Sequence, residues 1–112
     1  METKRQEKIS KLLQKDLGQI FQTEMPHLAM RSMLTVTKVH ISTDLSQAKV
    51  YISLFATKNK EAIIANIRKH TSEIRRELGN RIRHQVRVIP SLNFYLDDSL
   101  DYIEKIDTLL KD

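Results

Sequence analysis

Arginine and lysine are the residues of this chain whose types and spacing could do chemistry, and that chemistry is the binding of phosphate. The stretch "RRELGNRIRHQVRVIP" (Arg75–Pro90) holds five arginines, together with one of the two glycines and one of the two prolines of the 112-residue sequence. Arginine offers a planar fork of donors that matches a phosphate. A surplus of cations over acids binds a polyanion by releasing its counterions. Arg68 and Lys69 extend the run upstream, and Arg87 closes it. Glu73 and Glu77 could pair with neighbours, but two acids cannot neutralise Arg68, Lys69, Arg75, Arg76, Arg81 and Arg83. The bland alternative is a solvated helix face, the commonest fate of charged side chains.

Other chemistries find little support. The chain has no cysteine, which excludes a disulfide framework, a thiol nucleophile and a cysteine-based zinc site. His27, His40, His70 and His84 form no i, i+4 pair and no H-E-x-x-H arrangement. Gly18 and Gly79 alone cannot build a glycine-rich phosphate loop, and no G-x-S-x-G elbow is present. Asp97, Asp98 and Asp101 could hold a magnesium ion, but acids at a helix start are better explained by capping and the macrodipole. The expectation is therefore no metal, no cofactor and no enzymatic activity. Tyr51, Phe55, Phe94, Tyr95 and Tyr102 could stack on bases as in sheet-type RNA readers. No R-G-F-x-F run accompanies them, and strand aromatics more often belong to a core.

The formal net charge of +5 conceals an asymmetry. Residues 1–96 carry 17 Lys/Arg against 8 Asp/Glu, a net of +9, whereas residues 97–112 carry 2 against 6, a net of −4. A basic body of this kind suits a polyanion, and the acidic end reads as a separate helix or an electrostatic guard. No run of ~18 apolar residues could span a membrane, and no apolar stretch of signal-peptide type follows the charged start. The expected setting is cytoplasmic.

The elements that must carry these residues follow from hydrophobic period. Ile9, Leu12, Leu13, Leu17, Ile20 and Phe21 recur at helical spacing, with Lys4, Arg5 and Lys8 mostly on other faces; Pro26 stops the helix near Glu24. "LTVTKVHIS" (Leu34–Ser42) and "AKVYISLF" (Ala48–Phe55) alternate with period two and flank the polar connector "TDLSQ", which predicts an antiparallel hairpin. Val50, Ile52 and Leu54 share one face, opposite Tyr51, Ser53 and Phe55. From about Asn59 the helical period returns in Ile63, Ile67, Ile74, Leu78 and Ile82, and the ladder skips positions 70 and 71. On one continuous helix Arg76, Asn80 and Arg83 lie within about 40° of Lys69, opposite the apolar ladder, with Arg68 and Arg75 at one edge. A break near residue 71 would rotate the two halves. Val86, Val88, Leu92, Phe94 and Leu96 suit a third strand, in which Pro90 requires an edge position or a bulge. "DDSLDYIEKIDTLL" then suggests a short helix or partly ordered tail. The order is α-β-β-α-α-β, with residues 1–97 as a basic domain and 98–112 as an acidic end.

Taken together, these residues resemble the ribosome-binding factor A family. The specific match is "IRRELGNRIRHQVRVIPSLNFYLDDSLDYIEKID" (Ile74–Asp107), supported by "LTVTKVHISTDLSQAKVYIS" (Leu34–Ser53) and "RQEKISKLL" near the start. The resemblance implies an α+β, K-homology-like (type II) domain, a three-stranded sheet packed against helices without a G-x-x-G loop. A kink between the second and third helices replaces that loop in the family. His70, Thr71 and Ser72 stand there, with His70 and Ser72 at positions that usually hold alanine and glycine. The family implies a non-enzymatic, monomeric assembly factor that binds the small ribosomal subunit and its rRNA during late maturation. It also implies support for 5′-end processing and growth in the cold, with an assembly GTPase as a further partner. On this reading Lys69, Arg76, Asn80 and Arg83 contact phosphates and sugars, with Arg68, Arg75, Arg81, Arg87 and the N-terminal Lys4, Arg5 and Lys8 nearby. The rival readings are a general basic DNA-packing protein and a domain that binds acidic proteins.

Overall fold

The computed structural model describes residues 3–30, 32–55 and 57–97. The acidic segment expected from residue 98 onward lies outside them. Helix α1 (Lys4–Gln19) starts at Thr3, whose side chain accepts from the Gln6 amide while the Gln6 side chain accepts from the Thr3 amide. This reciprocal capping box satisfies two otherwise orphaned donors. The helix widens into a π-type turn over Ile20–Glu24, closed by the Met25 amide on the Ile20 carbonyl at 2.8 Å. This first helical run ends at Glu24, as Pro26 predicts, and Pro26 opens a separate short 3-10 helix, Pro26–Ala29.

Strands β1 (Met33–Ile41) and β2 (Gln47–Phe55) form the expected antiparallel hairpin. Their turn is built around Asp44, whose Oδ1 accepts from the Ser42 hydroxyl at 2.7 Å, the Ser46 hydroxyl at 2.7 Å and the Ser46 amide at 3.1 Å. That clamp holds Leu45 in left-handed geometry (φ 63°), which costs a residue with a side chain ~1–2 kcal/mol. The same donors hold the Asp44 carboxyl down at about 2, with the Ser42 hydroxyl the largest cause.

One strand departs from simple alternation. The β1–β2 register shifts between Val36 and Lys38, so a bulge at Thr37 moves the buried set from Val36 to Val39 and Ile41. Bulges insert one residue and bend the strand. Here the Gln14 side-chain amide of α1 reaches the carbonyls of Val36 and Thr37, at 3.2 and 3.3 Å.

Helices α2 (Lys60–Lys69) and α3 (Thr71–Ile82) meet at His70, whose φ of −103° and ψ of 17° interrupt the helical path. The His70 ring Nδ1 lies 2.8 Å from the Asn66 carbonyl, and the Thr71 hydroxyl donates to the Arg68 carbonyl at 2.7 Å. These two bonds satisfy carbonyls that the broken helix leaves open. Ile63, Ile67, Ile74, Leu78 and Ile82 are all buried, each contributing about 1.5–3 kcal/mol of transfer free energy.

The third strand is shorter than the alternation of Val86 and Val88 suggests. Strand β3 covers Ser91–Leu96, and residues 83–90 form turns and bends, with Val88 61% exposed. Pro90 therefore stands outside the strand and removes no ladder bond. β3 pairs in parallel with β2 at the edge of a sheet ordered β1-β2-β3. A parallel pair needs a crossover, which α2 and α3 supply. The helices cover one face of the sheet, where Val50, Ile52, Leu54, Leu92 and Phe94 are buried.

Candidate nucleic-acid interface

The crossover leaves a groove between the α2–α3 junction and the edge strand. It consists of two adjoining hollows of about 530 and 340 Å³ that share Thr71 and Leu92. Arg68, Arg75 and Arg76 line it, with Ser72, Gly79, Ser91, Asn93 and Tyr95. A second cleft, of about 690 Å³, opens where the start of α1, the hairpin turn and residues 85–90 converge. Arg5, Lys8 and Arg87 stand around its apolar lining of Ile9, Leu12, Ile41, Leu45, Val86 and Val88. Six of the ten basic residues singled out from sequence thus fall into these two places, and Lys4, Lys69, Arg81 and Arg83 line neither.

They also differ in what their donors do. Arg68 Nε and Nη2 donate to the Phe94 carbonyl at 3.1 and 2.8 Å, and its guanidinium carbon lies 6.0 Å from the Tyr95 ring centroid. Arg75 Nε and Nη2 donate to the carbonyls of Pro90 and Ile89 at 3.1 and 2.6 Å. Arg81 turns the other way, donating to Gln19 Oε1 at 2.7 Å and pairing with Asp16 and Glu24 at 3.5 Å each. Three arginines of the predicted surface are therefore engaged in holding elements together.

Lys69, Arg76, Asn80, Arg83, Arg87, Lys4, Arg5 and Lys8 are exposed, and their side chains make no hydrogen bond or ion pair with another described residue. Glu73 and Glu77 make no ion pair with a described residue either. The cation surplus thus has no partner among the described residues. Arg76, Asn80 and Arg83 follow one edge of α3 at intervals of four and three, away from Ile74, Leu78 and Ile82. The break at His70 takes Lys69 out of their helical register. Contacts from such side chains to a phosphate backbone would position a nucleic acid rather than read its sequence.

The sequence offered Tyr51 and Tyr95 among possible base-stacking residues but not their adjacency. Tyr51 and Tyr95 are paired across β2 and β3, with ring centroids 5.7 Å apart and planes 31° from parallel. They stand on the face of the sheet that no described helix covers. Phe94 points the other way, into the core, where it meets Phe21 edge-on at 6.2 Å. The signal lay in the alternation, which sets Tyr51 opposite Val50 and Ile52.

A mixed three-stranded sheet crossed by two helices with a one-residue break, in α-β-β-α-α-β order, defines a K-homology-like domain. A sequence profile of the family described as Ribosome-binding factor A matches residues 5–110. The ribosome-binding factor A of Christiangramia forsetii is 46% identical over 111 residues, covering 98% of this chain and 85% of that protein. That of Cytophaga hutchinsonii is 44% identical over 110 residues, with 98% and 83% covered. The chain belongs to the ribosome-binding factor A family. The crystal structure of ribosome-binding factor A from Thermus thermophilus superposes with a TM-score of 0.67 at 25% identity, covering 81% of this chain and 94% of that one. A second set of coordinates for the Thermus thermophilus protein, fitted into a cryo-electron microscopy map of a 30S complex, gives 0.61 at 26% identity, with 78% and 89% covered.

Proposed function

We propose that this protein binds the small ribosomal subunit through its RNA, as an assembly factor acting late in subunit maturation without catalysis of its own. The observation that carries this reading is the family relationship over nearly the whole chain, joined to a relative fitted into a map of its 30S complex. Exposed cations without side-chain partners among the described residues, along α3, at the start of α1 and at Arg87, support it. Arg76, Asn80 and Arg83 are the first contacts with phosphate and sugar; Lys69, Arg5, Lys8, Arg87 and Lys4 add to the field that draws the RNA in. Arg68, Arg75 and Arg81 act chiefly by fixing the elements that display the others. Support for 5′-end processing of the small-subunit rRNA and for growth in the cold belongs to the same proposal, as do a monomeric state and a cytoplasmic setting.

The test is co-sedimentation of the purified protein with separated small and large subunits, with duplex DNA as a competitor. Selective binding to the small subunit, weakened by salt, is expected. Equal affinity for both subunits and for DNA would replace the proposal with that of a general polyanion binder.

A further inference from the structure

We propose that the Tyr51–Tyr95 end of the sheet face that no described helix covers is a second RNA-binding surface, on which the pair stacks with unpaired bases of single-stranded RNA. This rests on RNA being the partner, as proposed above, and adds base stacking to the cation contacts of α3. Ser53, farther along β2 on the same face, is fully buried and lies outside this surface. The face is built by register. Lys38 of β1 is paired with Tyr51 of β2, and Tyr51 with Tyr95 of β3. Arg68 reaches over from α2 to lie 6.0 Å from the Tyr95 centroid. A row of cation, ring, ring and cation therefore crosses the sheet. In the next row Lys49 is paired with Asn93. Lys38 and Lys49 are exposed, and their side chains make no bond to a described residue.

Three features favour RNA over other occupants. None of the three strands contains an Asp or Glu, so the face presents cations without acidic neighbours in the strands. Tyr95 keeps 39% of its surface exposed, although an adjacent aromatic pair would gain by burial. Rings beside Arg and Lys are the combination that single-stranded nucleic acids use, with bases stacking on π faces or guanidinium planes while cations meet the backbone. An acidic peptide would use Lys38 and Lys49 but would have no need of the two rings. Duplex RNA keeps its bases stacked on one another and could not use them.

The experiment measures binding of fluorescein-labelled oligoadenylate and oligouridylate by the unsubstituted protein, by a Tyr51→Leu, Tyr95→Leu double variant and by the matching double phenylalanine variant. Purines stack more strongly, so the unsubstituted protein should prefer oligoadenylate. The leucine variant should lose about tenfold in affinity for it and lose the preference, while its salt dependence stays unchanged. The phenylalanine variant should retain both, because stacking needs the ring and not the hydroxyl. A second readout needs no change to the pair. The chain has three tyrosines and no tryptophan, so in a Tyr102→Phe background the emission comes from Tyr51 and Tyr95, and oligoadenylate should quench it. Unchanged affinity in the leucine variant, unquenched emission at saturation, or equal loss in the phenylalanine variant would each overturn the platform. If the first two occur while small-subunit binding persists, the platform alone falls. Absence of all RNA binding would overturn the proposed function with it.

Discussion

The groove beneath the helix break and the cleft beneath the start of α1 each gather three cations, and they spend them differently. In the groove, Arg68 and Arg75 turn their forks inward to the carbonyls of Phe94, Ile89 and Pro90, leaving Arg76 as the lining cation without a bond to a described residue. In the cleft, Arg5, Lys8 and Arg87 make no such bond. The difference follows from position. β3 is an edge strand, and donors supplied at and just before it satisfy carbonyls that have no neighbouring strand. No comparable demand falls on the exposed start of α1. A dense run of arginines is therefore not a dense run of available charge. A fork committed to a carbonyl has fewer donors left for a phosphate.

The sharpest way to break this contrast is to remove the committed arginines. Arg75→Ala deletes two hydrogen bonds that tie α3 to the segment leading into β3 and should cost about 1–2 kcal/mol. At roughly 4–8 °C per kcal/mol for a domain of this size, a fall in melting temperature should be plain in a thermal denaturation curve. Arg68→Ala should behave alike, because it leaves the Phe94 carbonyl without its two donors. The Arg5→Ala, Lys8→Ala, Arg87→Ala triple variant should change stability by less than about 0.5 kcal/mol per site. If this triple variant melts earlier than Arg75→Ala, the division between committed and available cations is wrong.

The triple variant sharpens the comparison in a binding experiment. If each of the three meets a phosphate, as the proposed function implies, the slope of log affinity against log salt for the small subunit should become shallower by roughly two to three units. A smaller effect probes the backbone that supports the cleft. An added Cβ at Gly18 would meet nothing within 4 Å, so Gly18→Ala should stabilise α1 by about 0.5–1 kcal/mol and leave the salt slope alone. The smallest effect concerns Asp44, the acid lining the cleft. Its carboxyl is held below its ordinary value of 3.8, at about 2, by the Ser42 hydroxyl and then the Ser46 hydroxyl and amide. A depressed folded value means the clamp contributes fully above pH 3.8 and is lost as pH falls through about 2. Melting curves of Asp44→Asn should lack the part of the pH dependence that falls in that window.

Much of the fold was legible because it follows from local period and punctuation. Pro26 ended α1, the alternation in 48–55 set Val50, Ile52 and Leu54 inward, and the gap in the isoleucine–leucine ladder at 70–71 marked the break at His70. The third strand misled because Val86 and Val88 alternate like a strand. Those residues have no partner strand before Ser91, and Val88 is left in solvent. The bulge at Thr37 was visible in principle, since the apolar positions of 34–41 change parity within the strand. The site was less legible. Whether an arginine faces a phosphate or a carbonyl depends on which loop passes beside it, and Arg68 and Phe94 are 26 residues apart. The adjacency of Tyr51 and Tyr95 likewise waits on a parallel register that no local pattern encodes.

We propose that Arg76 and Arg83, which have no side-chain partner among the described residues, grip the ribosomal RNA, and that the committed arginines do not. The most direct test is co-sedimentation of Arg76→Ala, Arg83→Ala with the small subunit across a salt series, alongside the unsubstituted protein and with melting curves of both. Weaker binding, a salt slope shallower by roughly one and a half units and an unchanged melting temperature are expected. Binding and slope identical to those of the unsubstituted protein would contradict the proposal.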